Sequence, residues 1–203
     1  MIEKSRWVQK TEQDPSHSTW YIERFRSKAA AGEDLGGEAR FVNAMVAPGS
    51  RILDAGCGPG RVGAFLNDFG HQVVGVDVDP VLIAAAEEDH PGPTWLVGDL
   101  AELDLPARGI DEGFDVILSA GNVMAFLAAS TRLMVLERLR DHLLPDGRIV
   151  VGFGAGRDYD FGEFENHVDK AGLMMELRLS TWDLRPSTAD ANFLVAVLIR
   201  RPS

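Results

Sequence analysis

Three aspartates stand where apolar runs stop: Asp54 after Ile52-Leu53, Asp77 after Val73-Val74-Gly75-Val76, and Asp99 after Trp95-Leu96-Val97-Gly98. The first opens onto a glycine-rich stretch, Ala55-Gly56-Cys57-Gly58-Pro59-Gly60-Arg61. Carboxylates at such positions can neutralise an ammonium group, accept hydrogen bonds from a pair of hydroxyls, or accept one from an exocyclic amine. Glycines let the backbone approach a ligand closely and adopt positive φ, and a helix beginning there presents free N–H groups. A single aspartate of this kind reads as a helix cap or turn residue. Three in order, each at the end of a strand, is more than folding alone requires.

The elements that must position these residues follow from hydrophobic patterning. Short β-branched runs recur at 51–55, 71–76, 94–97, 114–119 and 148–153. Between them lie stretches with helical spacing, one beginning near Gly60, one at Asp79-Pro80, and one from Ser130 to Leu144 with Leu133, Leu136, Leu139 and Leu143 on one face. Asp79 followed by Pro80 is a start signal, and Leu144-Pro145-Asp146-Gly147 a stop and turn. Strands alternating with helices imply crossover units and a parallel sheet covered on both faces. A helix around 161–171 ends at Gly172, after which 174–182 and 191–200 read as two strands. The long turn joining them contains Arg185-Pro186-Ser187-Thr188 and no helix, so this pair is antiparallel. Residues 1–47 are expected to form a helical lid or substrate segment, with helices near 18–31 and 34–46 and no strand. Residues 48–203 are expected to form the ligand-binding domain.

The glycine stretch admits two ligands. Gly58, Gly60 and Gly63 satisfy the GxGxxG spacing of a dinucleotide site. That frame, however, starts four residues past Asp54, whereas the dinucleotide fingerprint opens at the strand end. Asp54 would also repel a pyrophosphate, while attracting an ammonium group. S-adenosylmethionine carries an ammonium and no phosphate. Asp77 lies about 20 residues further on, the spacing at which a carboxylate grips ribose hydroxyls. Val78 beside it can pack on adenine, and Asp99 can accept the adenine amino hydrogen.

Residues 50–153 resemble the class I S-adenosylmethionine-dependent methyltransferases. LDAGCGPG is similar to their first motif, GVDVDP to the second, GDL to the third, FDVILSAGNV to the fourth, and LLPDGRIVV to the turn and fifth strand. The resemblance implies a three-layer αβα Rossmann-like α/β fold. Its sheet would have seven strands in the order 3-2-1-4-5-7-6, with strand 7 antiparallel. It also implies S-adenosylmethionine as cofactor and S-adenosylhomocysteine as product. Carried over by position, Asp54, Ala55, Gly56, Cys57, Gly58 and Gly60 surround the methionine part, Asp77 and Val78 the ribose and adenine, and Asp99 and Leu100 the adenine. Ser119, Ala120 and Gly121 then line the cofactor beyond the fourth strand. Cys57 reads as a packing residue, since no histidine is placed by sequence to activate it.

On the acceptor side the expected substrate-binding residues are Trp20, Tyr21, Asn122, Arg157 and Tyr159. The catalytic candidates are His17, Tyr21, Asn122 and Tyr159, with His17 the histidine placed to act as a base. Arg26 is expected to pair the cofactor's carboxylate. SAGNV departs from the Asn/Asp-Pro-Pro-Tyr motif of methyltransferases that act on amino groups of bases or glutamine. The five histidines show no close ligand spacing and there is one cysteine, so no metal site is expected.

Bulk properties narrow the acceptor. A formal charge of −11 over 203 residues opposes phosphate backbones, and the longest basic cluster is Arg200-Arg201. The chain is therefore read as a cytoplasmic monomer or homodimer acting on an oxygen or nitrogen of a small molecule, with neither a membrane nor a nucleic acid as partner. The alternatives are a cofactor-binding regulatory module without transferase activity, and an RNA or protein methyltransferase.

Overall fold

The computed structural model describes residues 2–202. Seven strands form one sheet: β1 (Arg51–Ala55), β2 (Gln72–Asp77), β3 (Thr94–Val97), β4 (Phe114–Ser119), β5 (Leu143–Gly154), β6 (Leu173–Leu179) and β7 (Phe193–Arg200). Their order is β3-β2-β1-β4-β5-β7-β6, with β7 antiparallel to both neighbours, as expected. Successive residues of the central strands bury on opposite faces, the signature of a sheet covered twice. Ile52, Val73, Val116, Leu118 and Val150 pack towards α3 (Gly37–Asn43) and α4 (Arg61–Asp68). Leu53, Val74, Ile117, Ile149 and Val151 pack on the other face, with α7 (Arg132–Asp141) and α8 (Phe161–Lys170). α5 (Pro80–Asp89) starts at Asp79, whose Oδ1 accepts from the Val81 amide at 2.8 Å, and Pro80 occupies the first helical position.

Several boundaries differ from expectation for identifiable reasons. β5 begins at Leu143, so Leu144-Pro145-Asp146-Gly147 lies inside the strand rather than ending the preceding helix. The irregularity shows as a register shift between Phe114 and Val116 on the partner strand. A four-residue helix, α6 (Val123–Phe126), was not foreseen.

The first 47 residues are not one unit. α2 (His17–Ala30) and α3 correspond to the two expected helices, and a third, α1 (Arg6–Gln13), precedes them. α1 has a polar sequence with no buried residue, and Ser5 caps it by accepting from the Val8 amide. α3 buries Phe41 and Val42 in the same cluster as Ile52 and Leu66 and so belongs to the sheet's helical layer. α2 instead packs on α5 through Ile22 against Leu82 and Ala85. No helix among the described residues is long and apolar enough to cross a membrane.

Candidate functional site

A cavity of about 530 Å³ lies beyond the carboxyl ends of β1, β2 and β4, where parallel sheets bind ligands. Asp54, Gly56, Cys57, Gly58, Asp77, Val78, Asp99, Leu100, Ala120, Gly121 and Asn122 all border it. The turn after β1 depends on Gly56, which has φ +84° and passes so close to α6 that a Cβ would come within 2.3 Å of Val123 Cγ2. Its amide and that of Cys57 donate to Val76 O at 2.8 and 3.1 Å, tying the turn to β2.

The carboxylates differ in what they have left to offer. Asp54 is buried; its Oδ2 accepts from the Gly63 amide at 3.0 Å, and Oδ1 has no partner among the described residues. Burial pushes it up to about 7, against the opposing pull of the Arg61 guanidinium. Asp77 uses one lone pair of each oxygen, Oδ2 for the Gly58 amide at 2.9 Å and Oδ1 for the Asp79 amide at 3.0 Å. That leaves one acceptor position on each oxygen, matching two hydroxyls. Burial pushes it up to about 6. Asp99 caps a 3-10 turn at Leu100–Glu102 by accepting from the Ala101 amide at 2.9 Å.

This set fits S-adenosylmethionine. The Asp54 carboxylate lacks the cationic partner that an ammonium would supply, Asp77 has the capacity for a ribose diol, and Gly58 and Gly121 border the cavity beside Tyr21. The nearest atoms to a Cβ there belong to Tyr21, a ring carbon at 3.7 Å from Gly58 and the hydroxyl at 4.0 Å from Gly121. Tyr21 thus spans the turns after β1 and β4. Burial raises its pKa, holding it as a neutral phenol.

The remaining expected residues divide. Arg157 and Asn122 border the cavity. Arg26 does not: its guanidinium is held by Asp89 at 2.9 Å and by Glu23. Arg24, two residues earlier on α2 and so on another face of the helix, borders it with no carboxylate partner among the described residues and lies 5.7 Å from the Trp20 ring. Tyr159 is 1% exposed, stacked on Phe153, with its hydroxyl 2.9 Å from His167 Nδ1, so it belongs to the core and not to the acceptor site. His17 is buried between Trp7 and Trp20 outside the cavity, which removes it as a base acting there. Trp20 is 54% exposed and does not border the cavity. Ala55 and Ser119 are buried in the sheet and do not reach the lining, and Gly60 packs against Ala86 and Trp95.

Four residues of the site escaped sequence reasoning. Trp7 and Phe126 meet edge to face 5.8 Å apart over the cavity, and Trp7 also meets Tyr21 at 5.2 Å. Glu38 and Arg61, which also border the cavity, form a shielded ion pair at 2.7 Å. The excess of aromatics before residue 48 was the signal for Trp7; nothing local announces the pair.

Comparison with known proteins agrees with this geometry. A model of the methyltransferase domain matches residues 52–147. The crystal structure of a TehB-like SAM-dependent methyltransferase from Corynebacterium glutamicum is 46% identical, with TM-score 0.87, covering 93% of this chain and 100% of that one. The CcbJ methyltransferase of Streptomyces caelestis shares the fold at 20% identity and TM-score 0.72, covering 81% and 94% of the two chains. The ribosomal protein L11 methyltransferase of Symbiobacterium thermophilum is 33% identical over 114 residues, 55% of this chain and 34% of that protein. The chain spans between about a third and a half of the length of the first such curated relatives. The chain belongs to the class I S-adenosylmethionine-dependent methyltransferases.

Proposed function

We propose that the chain transfers the methyl group of S-adenosylmethionine to an oxygen or nitrogen of a small-molecule acceptor, under a lid formed by α1 and α2. The observation that carries the small acceptor is the way α1 straps the cavity mouth to both rims. On one rim Asp79 Oδ2 accepts from Trp7 Nε1 at 2.8 Å and from Ser18 Oγ. On the other, Ser130 donates to Glu3 and Arg6 pairs with Asp158. A substrate has to fit beneath this strap, which suits a metabolite better than a folded RNA or protein. The chain's net charge of −11 supports the same reading.

When bound, the cofactor supplies a methyl on a positively charged sulfur, open to in-line displacement. The chain's own residues then hold and align the partners and keep water out, contributions that proximity alone can make large. Asp54 holds the ammonium, Asp77 the ribose hydroxyls, and Asp99 with Leu100 the adenine. Arg24 takes the carboxylate role expected of Arg26. Trp7 and Phe126 shield the reacting end, and the Tyr21 hydroxyl, kept neutral by burial, offers a hydrogen bond where the turns after β1 and β4 meet.

The test is calorimetric titration with S-adenosylhomocysteine, with NADH as control, followed by transfer assays over a panel of small amines, alcohols and carboxylic acids. Tight binding is expected for the wild type, with loss of about 2–3 kcal/mol in Asp77→Ala, roughly 30- to 150-fold. Binding of NADH instead, or transfer confined to RNA or protein, would overturn the proposal.

A further inference from the structure

Arg157 is an arginine without a carboxylate in a chain rich in them. Arg6, Arg26, Arg40, Arg51, Arg61, Arg132, Arg140, Arg148, Arg178, Arg185 and Arg201 each pair with Asp or Glu. Arg157 has no such partner among the described residues, yet it borders the cavity. The acid beside it in sequence, Asp158, is already taken by Arg6, which also donates to the Arg157 carbonyl at 3.4 Å.

The neighbour of Arg157 is Asn122, another polar side chain bordering the cavity. Both approach Gly154: a Cβ there would lie 3.5 Å from Asn122 Oδ1 and 3.6 Å from Arg157 Nε. Asn122 Oδ1 accepts from the Gly154 amide at 2.8 Å. A backbone N–H can only donate, so this bond fixes the orientation of the amide and occupies one lone pair of the oxygen. What remains is the Nδ2 group, two donors with no partner among the described residues. Asn122 is also one of three non-glycine residues at positive φ among the described residues, here +67°, a conformation that costs energy and is retained at sites where surrounding structure demands it. The side of the cavity formed after β4 and β5 therefore pairs a guanidinium with an amide nitrogen, a set in which unpartnered donors dominate.

We propose that Asn122 and Arg157 form the recognition site for an anionic group of the methyl acceptor, a carboxylate or a phosphate. This rests on the methyltransferase reading above. The guanidinium binds the two oxygens in its fork and Asn122 Nδ2 adds a further hydrogen bond. The acceptor's nucleophilic atom then extends from this anchor towards the Tyr21 hydroxyl and Gly121. Arg24, on α2, remains free for the cofactor's own carboxylate, so the two anions do not compete.

The experiment uses the full chain saturated with S-adenosylhomocysteine, so that the cofactor's carboxylate site is already filled. Matched probes are titrated in and followed by NMR: small carboxylates, their neutral primary amides, and inorganic phosphate. Expected are shifts at the Asn122, Gly154 and Arg157 amides with the anions and none with the neutral amides. Carboxylate against phosphate distinguishes which anion the site prefers. Arg157→Ala should weaken anion binding at least tenfold. Asn122→Asp keeps the acceptor for the Gly154 amide but replaces the donor with a negative oxygen, and should abolish it. Both variants should bind S-adenosylhomocysteine as the wild type does. Anions binding no better than their amides, or binding unaffected by either variant, would overturn the proposal. Failure of S-adenosylhomocysteine to bind the wild type would instead sink the methyltransferase reading, a separate and distinguishable result.

Discussion

The two ends of the cavity are built differently. The end proposed for the cofactor is backbone and buried carboxylate: turns at the ends of β1, β2 and β4, with Asp54 and Asp77 held by amides inside the sheet's own framework. The end proposed for the acceptor is side chains brought from far apart in sequence, Trp7 and Tyr21 from α1 and α2, Phe126 and Asn122 after β4, and Arg157 after β5. Its ties are single hydrogen bonds and solvent-exposed ion pairs such as Arg6 with Asp158. Ties of that kind contribute little and are screened by salt. A fixed ligand can thus be served by the rigid frame, while the acceptor site can be altered, opened or closed without unfolding the sheet.

Substitutions at the two ends should separate sharply. The largest effect is expected from Gly56→Ala, which forces a Cβ onto Val123 at a φ of +84°. A loss of about 2–4 kcal/mol in stability and no detectable S-adenosylhomocysteine binding are expected. A variant that melts and binds like the wild type would show that the turn is far more pliable than its contacts indicate.

The next effect is on pH. Asp54 and Asp77, raised by burial to about 7 and about 6 from an ordinary 3.8, hold protons in the folded chain that the unfolded chain releases. Their contribution to stability is therefore present below about pH 4 and is lost as pH rises through 6 to 7. The ammonium of S-adenosylhomocysteine needs Asp54 ionised, so affinity runs the other way. It should weaken as pH falls below 7, by at most about tenfold per unit for one coupled proton. Asp54→Asn should bind more weakly at pH 8 and lose most of this slope. An unchanged slope in that variant would assign the proton elsewhere.

Smaller effects are expected at the strap. Trp7→Phe removes the hydrogen bond to Asp79 Oδ2 while Ser18 keeps its own, a cost of about 1 kcal/mol. Amide exchange in α1 should accelerate and the acceptor's KM rise, with S-adenosylhomocysteine affinity little changed. Arg6→Ala, at an exposed pair, should alter only exchange in α1, and should mimic wild type at high salt. If either change weakened the cofactor more than the acceptor, the division between the two ends would fail.

Legibility in the sequence follows the same division. Asp54, Gly56, Asp77 and Asp99 could be placed because each sits at a strand end and acts through its own short segment. Arg26 was expected at the cavity and Arg24 borders it instead, because the helix's rotation about its axis, set by packing on α5, decides which guanidinium faces inward. Tyr159 was expected at the acceptor site and is instead a core aromatic, because the segment after β5 folds back onto Phe153 and Phe164. His17 and Trp20 carry plausible chemistry but stack on one another beside the cavity.

Sequence alone determined the alternation of strands and helices and the placing of aspartates at strand ends, since hydrophobic period and turn chemistry are local, while the strand order came from the resemblance to the class I methyltransferases. Only the tertiary structure decided the acceptor half. Whether α1 exists, which face α2 turns inward, and that Asn122 and Arg157 meet over Gly154 all depend on contacts between residues tens of positions apart, whose energies no local pattern records.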